Sequence, residues 1–375
     1  MSLQMGIVGL PNVGKSTVFN ALTKAGAAVA NYPFTTIEPN VGVGAVPDHR
    51  LVRLAEVIQP ERVVPATIEF VDIAGLVKGA HQGEGLGNQF LGHIRAVDAV
   101  VVVARCFVDE NVAHVAIGSN ISTQSPSALD PMEDLAVLDL ELVLADLAML
   151  ERRIEKVKGL AKAQPKTVGG ELAALSELLA HLEAGHLART WEGRTKASDY
   201  LKSVALVTEK PRLFLANVGE ADLPDGGPLA AKVKGRAQAE GACCVVVCAQ
   251  LEADLAEWDS EEAAAYRAEL GLVSSGLEAL IHAGYSTLDL ITFFTTTGGH
   301  EVRAWPLPRG ASAPQAAGQV HTDMERGFIR AEVVHFDDLN RVGAIVAARE
   351  QGLMRIEGRE YVVQDGDVCH FRFNV

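Results

Sequence analysis

Nine residues, Gly9-Leu-Pro-Asn-Val-Gly-Lys-Ser-Thr17, limit what this chain can fold into more than any other stretch. They match the spacing G-x-x-x-x-G-K-[ST], in which glycines let backbone N–H groups turn inward around phosphates. The apolar run 3–8 before them reads as a strand, and the residues after them open a helix. The helix would point its positive N-terminal end at the same anion. Lys15 would contact the β- and γ-phosphates of a nucleoside triphosphate, and Ser16 would set its hydroxyl on a magnesium ion.

Three further segments fit that site. Asp72-Ile-Ala-Gly75 follows the strand-like run 67–71. A strand-terminal Asp72 can hold magnesium through a water, and the Gly75 N–H can bind the γ-phosphate. Thr35 and Thr36 lie between the two phosphate motifs, and a threonine there, Thr36 above all, can complete the metal shell and sense the γ-phosphate. Asn217-Val-Gly-Glu220 follows the run 213–216, where guanine-specific relatives of this architecture carry Asn-Lys-x-Asp. Valine in place of lysine and the longer Glu220 misplace the pair of hydrogen bonds that guanine needs, which argues for adenine. Leu76 stands where Ras-like enzymes place a water-orienting glutamine, and leucine cannot hydrogen-bond water. Another group then positions the water, or turnover is slow. His114 is a candidate from the loop after the next strand.

The chain has 375 residues, 48% hydrophobic and 22% charged, enough for two or three domains. Buried strands are expected at 3–8, 67–71, 99–104, 213–216 and 244–247, alternating with helices. That pattern predicts an α/β fold with a doubly wound, mostly parallel sheet. It breaks between Asp130 and Leu206. Leu140, Val143, Leu147, Leu150, Ile154 and Val157 form one seam, and Leu172, Leu175, Leu179 and Leu182 a second. An inserted antiparallel helical hairpin follows, with Gly159, Pro165, Gly169 and Gly170 at its connection and a first helix roughly 36 Å long. Residues 117–131 read as a surface loop. From about Leu288 a small α+β region is expected, ending in a hairpin of 361–363 and 368–373 around Asp365-Gly366. A net charge of -15 disfavours sequence-specific DNA binding and membrane coating. Five cysteines, odd in number and without metal-ligand spacing, suggest buried thiols in a reducing, cytoplasmic setting.

Taken together, residues 9–17, 31–40 (NYPFTTIEPN), 72–80 (DIAGLVKGA), 83–95 (GEGLGNQFLGHIR), 217–220 and 304–331 resemble the Obg-like ATPase family in its YchF branch, over nearly the whole chain. The resemblance implies a nucleotide-binding domain at 1–129 and 207–287, a helical coiled-coil arm at 130–206 and a TGS domain at 288–375. It implies ATP in preference to GTP, association with ribosomes or a ribosomal subunit, and a role in translation or stress regulation, in a chain expected to be monomeric. By position, Asn12, Val13, Gly14, Lys15, Ser16 and Thr17 resemble the ATP-binding loop, Ser16 and Thr36 the magnesium ligands, and Val218 a backbone contact to adenine. Asn12 resembles an asparagine that coordinates potassium in cation-dependent relatives, so K+ is expected as an activator. The loop 117–131 is longer than the family's usual link into the arm. Two other readings share the residues: a translation GTPase of the same fold, and an ATP-binding module with little turnover.

Overall fold

Runs of valine and alanine too apolar to face water on either side form the centre of the first sheet. The computed structural model describes residues 3–27, 40–73, 86–109, 129–161, 165–201, 203–297 and 299–374. Among these the strands are, in chain order, β1 (Gln4–Val8), β2 (Val41–Ala45), β3 (Arg62–Val64), β4 (Thr67–Asp72), β5 (Ala99–Cys106), β6 (Arg212–Val218), β7 (Cys244–Val247), β8 (Leu290–Thr297), β9 (Glu301–Pro308), β10 (Phe328–His335), β11 (Arg355–Glu357) and β12 (Asp367–Phe373). The first sheet has the order β2-β4-β1-β5-β6-β7. Pairs β1–β5, β5–β6 and β6–β7 are parallel. Strands β5 and β6 are buried along their whole length, as expected when helices cover both faces. The fold is the α/β doubly wound class that the sequence predicts.

Two compact units make up the chain. The larger contains Gln4–Gly42 and Phe70–Leu280, the smaller Met1–Leu3, Val43–Glu69 and Ile281–Val375. In the larger unit, Phe90, Leu91 and Ile94 join Val102, Ala104, Phe214 and Ala216 in one core, together with Val233, Ala237, Leu251 and Leu255.

The arm is built on helices Pro131–Ala161 and Pro165–Glu183. Leu135, Leu138, Leu142 and Ala145 of the first helix belong to the core of the sheet. Val143, Leu150, Ile154 and Val157 belong to a separate core with Leu175, Leu178, Leu182, Trp191 and Leu206. Leu147, Leu172 and Leu179 pack at its margin. The expected seam needs one correction, because Leu140 is 54% exposed. Arg153 pairs with Glu171 (Nε–Oε1 3.0 Å), which sets the antiparallel register, and the second helix ends at Glu183, level with the turn that carries Leu140. Gly159, Gly169 and Gly170 also differ from expectation and lie within the helices, whose packed faces outweigh the cost of glycine, roughly 1 kcal/mol each. Of the expected loop 117–131, residues 117–128 lie outside the described residues and Pro131 opens the helix. Proline is tolerated there because the first helical N–H needs no partner.

Asp146 closes the arm at its root. It is 0% exposed, and its carboxylate accepts from Val207 N (2.9 Å), Thr208 N (2.8 Å) and Thr208 Oγ1 (2.6 Å). Arg212 at the start of β6 is also buried, donating to Asp139 Oδ1 (2.6 Å) and Glu240 Oε2 (2.7 Å).

In the smaller unit the sheet order is β11-β10-β12-β8-β9-β3. Pairs β8–β9, β10–β12 and β10–β11 are antiparallel, and β12–β8 and β3–β9 are parallel. The Pro- and Ala-rich stretch forms the helix Ala313–Val320, opened by a capping box of Ser312 and Gln315. The expected terminal hairpin is not formed. Both edges of β12 are occupied, by β10 and β8, so residues 361–363 keep a single bridge, between Val362 and Ser312. The turn at Asp365-Gly366 (Gly366 φ 91°) does exist, and Asp365 accepts from Thr292 N at 2.8 Å. No helix among the described residues is long and apolar enough to cross a membrane.

Candidate nucleotide site

The phosphate loop begins where β1 ends and stops where the helix Lys15–Ala27 starts. Asn12 (φ 64°) and Gly14 (φ 95°) both adopt left-handed backbone, the turn that a backbone anion nest requires. Gly14 must be glycine for a second reason: a Cβ there would lie 2.1 Å from Asn217 Nδ2. Asn217 is 4% exposed and ties three segments together. Its Nδ2 donates to Val13 O (3.0 Å), and its Oδ1 accepts from Ala249 N (3.1 Å). Through one bond at each amide atom, Asn217 braces the loop against the end of β6 and the turn after β7. Replacing it with alanine leaves a buried carbonyl and a buried N–H without partners. The expected cost is about 1–2 kcal/mol, or roughly tenfold weaker nucleotide binding. An equilibrium titration with a labelled nucleotide checks this, and unchanged affinity would remove the brace from the account.

Lys15 is 8% exposed, and its Nζ donates to Leu10 O at 2.7 Å. Burial lowers its pKa from the ordinary 10.5, and the charge of Asp72 works in the opposite direction. Asp72 ends β4 and shows the mirror effect: burial raises its carboxyl above 3.8, while Lys15 and a hydrogen bond from Ser16 pull it down. Magnesium is a hard cation that takes oxygen ligands. A serine hydroxyl bonded to a half-buried carboxylate, beside a loop of inward-turning backbone, suits it.

A cavity of about 770 Å³ opens over these residues. Asn12, Gly14, Lys15, Ser16 and Thr17 form one side. Asn217, Val218, Gly219 and Glu220, at and beyond the end of β6, form another. The site therefore lies at the carboxyl ends of parallel strands, where open α/β sheets bind ligands. Glu220 is exposed, and its Oε1 accepts from Tyr266 Oη at 2.6 Å.

Two walls were not anticipated from the sequence. Phe107, Val108 and Asp109 follow β5, and Cys248, Ala249, Gln250, Leu251 and Asp254 follow β7. Neither carries a motif, but both follow strands that the sequence did reveal, which was the available signal. Thr35, Thr36, Gly75, Leu76 and His114 lie outside the described residues.

Comparison with known proteins agrees with this geometry. A family model described as "50S ribosome-binding GTPase" matches residues 4–130. A second, the YchF-GTPase C-terminal model with the description "Protein of unknown function (DUF933)", matches residues 290–374. The chain is 49% identical over 377 residues to the Bacillus subtilis (strain 168) protein named Ribosome-binding ATPase YchF. It is 48% identical over 375 residues to the Escherichia coli O157:H7 protein of the same name. Both alignments cover 100% of each chain. Among solved structures it is similar to the Schizosaccharomyces pombe YchF GTPase, with a TM-score of 0.87 and 35% identity, covering 99% of this chain and 98% of that one. The two bacterial relatives are named as ATPases and the yeast relative as a GTPase.

Proposed function

The chain belongs to the YchF branch of the Obg-like ATPase family, and from that premise we propose that it is a magnesium-dependent ATP hydrolase acting as a ribosome-associated switch. One observation carries the nucleotide part: a single cavity collects Lys15, Ser16 and Thr17 with Val218 and Glu220. In this reading Asn12, Val13, Gly14, Lys15, Ser16 and Thr17 wrap the phosphates. Lys15 leaves the Leu10 carbonyl for the β- and γ-phosphate oxygens. Ser16 and Thr36 would hold magnesium, with Asp72 contributing through a water. A metal held by these residues would supply positive charge against that developing on the transferred phosphoryl group. The Gly75 N–H would support the γ-phosphate, Asn12 would hold an activating potassium ion, and His114 is the candidate for orienting the attacking water. Asn217 shapes the loop, and Val218 offers its backbone to the base.

ATP preference follows from Val218 and Glu220 standing where guanine readers carry lysine and aspartate. The domain division is part of the proposal: a nucleotide domain at 1–129 and 207–287, an arm at 130–206 and a TGS domain at 288–375. Separate cores between Val143 and Leu206 and between Ile291 and Phe371 support the latter two. The relatives named for ribosome binding support a ribosomal partner and, with it, a cytoplasmic place. The chain would act as a monomer.

A competition titration tests the base. A labelled ATP analogue, with magnesium and potassium present, is displaced by ATP or by GTP. We expect displacement at far lower ATP than GTP. Equal or GTP-favoured displacement would replace this reading with a translation GTPase; the yeast relative is itself named a GTPase. ATP binding without measurable turnover would leave an ATP-binding module.

A further inference from the structure

Glu220 carries a hydrogen bond that the nucleotide motifs do not call for. The donor, Tyr266 Oη, lies 2.6 Å from Glu220 Oε1 and comes from 46 residues downstream, on the helix Ser260–Glu269. The tyrosine is well anchored. Its ring packs against the core that contains Leu255 and Ala263, and it lies 5.5 Å from the Trp258 ring. Asp259 caps its helix, accepting from Glu261 N at 2.9 Å. Arg267, the next residue, reaches the buried Glu252 (Nη2–Oε2 3.3 Å). A hydroxyl on such a base is presented at a fixed point. Glu220 is exposed, and without that point its long side chain would sample many rotamers.

Guanine presents N1–H and N2–H side by side, and a carboxylate reads them with both oxygens in one plane. Adenine makes no such demand. A carboxylate accepting from a phenol at one oxygen has one lone pair of that oxygen spent and its plane biased by that bond. It then meets guanine with one oxygen well placed, and a guanine donor is left unpaired. The bond also pushes the Tyr266 hydroxyl pKa up, through the hydrogen bond to Glu220 first and its charge second. We propose that Tyr266 is a specificity-determining positioning residue, holding Glu220 in a pose that denies guanine its two-oxygen acceptor. The inference rests on the adenine reading above and adds to it a residue outside every nucleotide motif.

The test is the same competition titration on the full-length protein, run for wild type, Tyr266→Phe, Glu220→Ala and the double variant. Phenylalanine keeps the anchored ring and removes only the hydroxyl. The ratio of GTP to ATP affinity is expected to rise about tenfold in Tyr266→Phe, the size of one hydrogen bond to a charged group. In the Glu220→Ala background the same change is expected to move the ratio no further. An unmoved ratio in Tyr266→Phe overturns the inference, and so does an equal shift in the absence of Glu220. A wild-type protein without ATP preference overturns the adenine reading instead, and the change in ratio still decides the role of Tyr266.

Discussion

Replacing Lys15 with alanine is expected to reduce ATP hydrolysis at least about a hundredfold, in line with losing a preorganised charge from a phosphoryl-transfer site. The side chain is 8% exposed and faces a cavity edged by the phosphate loop, so water replaces its ammonium poorly. Its loss also deprives Asp72 of the charge that counters burial, which raises the pKa of that carboxyl further. Arginine is not expected to rescue, because a planar fork does not fit where a compact ammonium is buried. Single-turnover hydrolysis of labelled ATP is the measurement, and wild-type rates in Lys15→Ala would refute the proposed chemistry. A pH effect follows with a defined sign. Burial lowers the Lys15 pKa, so the free protein loses this charge below the ordinary 10.5. Affinity for ATP is therefore expected to fall as pH rises towards that value, and the Lys15→Ala variant should lack the fall.

Asp146→Ala is expected to destabilise the larger unit by about 3–5 kcal/mol, because three buried donors lose their acceptor together. Those donors are the Val207 and Thr208 amides and the Thr208 hydroxyl. Asp146→Asn keeps one acceptor and should cost less. Hydrogen exchange of the Val207 and Thr208 amides reports the change directly, since in the wild type both donate to this carboxylate. Unaltered protection would mean that the arm's return is held by its apolar core alone. Burial raises the Asp146 carboxyl above 3.8, against the pull of Thr208 and Val207. Between 3.8 and that raised value the native chain binds a proton that the unfolded chain releases. The group's contribution to stability therefore declines as pH rises through that window, and the Asn variant should lose this dependence.

The sequence made the first sheet legible because its strands are short, apolar and buried on both faces. The strand at Cys244–Val247 coincides with its expectation, and β5 differs only by running on to Cys106. The phosphate loop was legible because its chemistry demands particular residues at fixed spacing. Pairing was less so. Nothing local to residues 361–373 records that β10 and β8, about 40 and 75 residues upstream, already occupy both edges of β12. Leu140 misled for a similar reason: periodicity marks a face but not where the partner helix ends. Phe107 and Gln250 reach the cavity through the placement of strand ends, and a wall needs no fixed residue type. Tyr266 was invisible for the same reason, since its role depends on a contact across 46 residues.

The helix Pro131–Ala161 has a mechanical consequence. Its first turns are clamped into the core of the sheet and its later turns into the core of the arm, with one unbroken run of 31 residues between the two ends. It is a cantilever without a hinge. Beyond Ala145 some sixteen residues project, roughly 24 Å, so a tilt of about 10° at the clamp carries the free end about 4 Å. Small rearrangements at the root are thus read out as displacement at the far end, and a glycine pair inserted just past Asp146 would convert the beam into a loose joint.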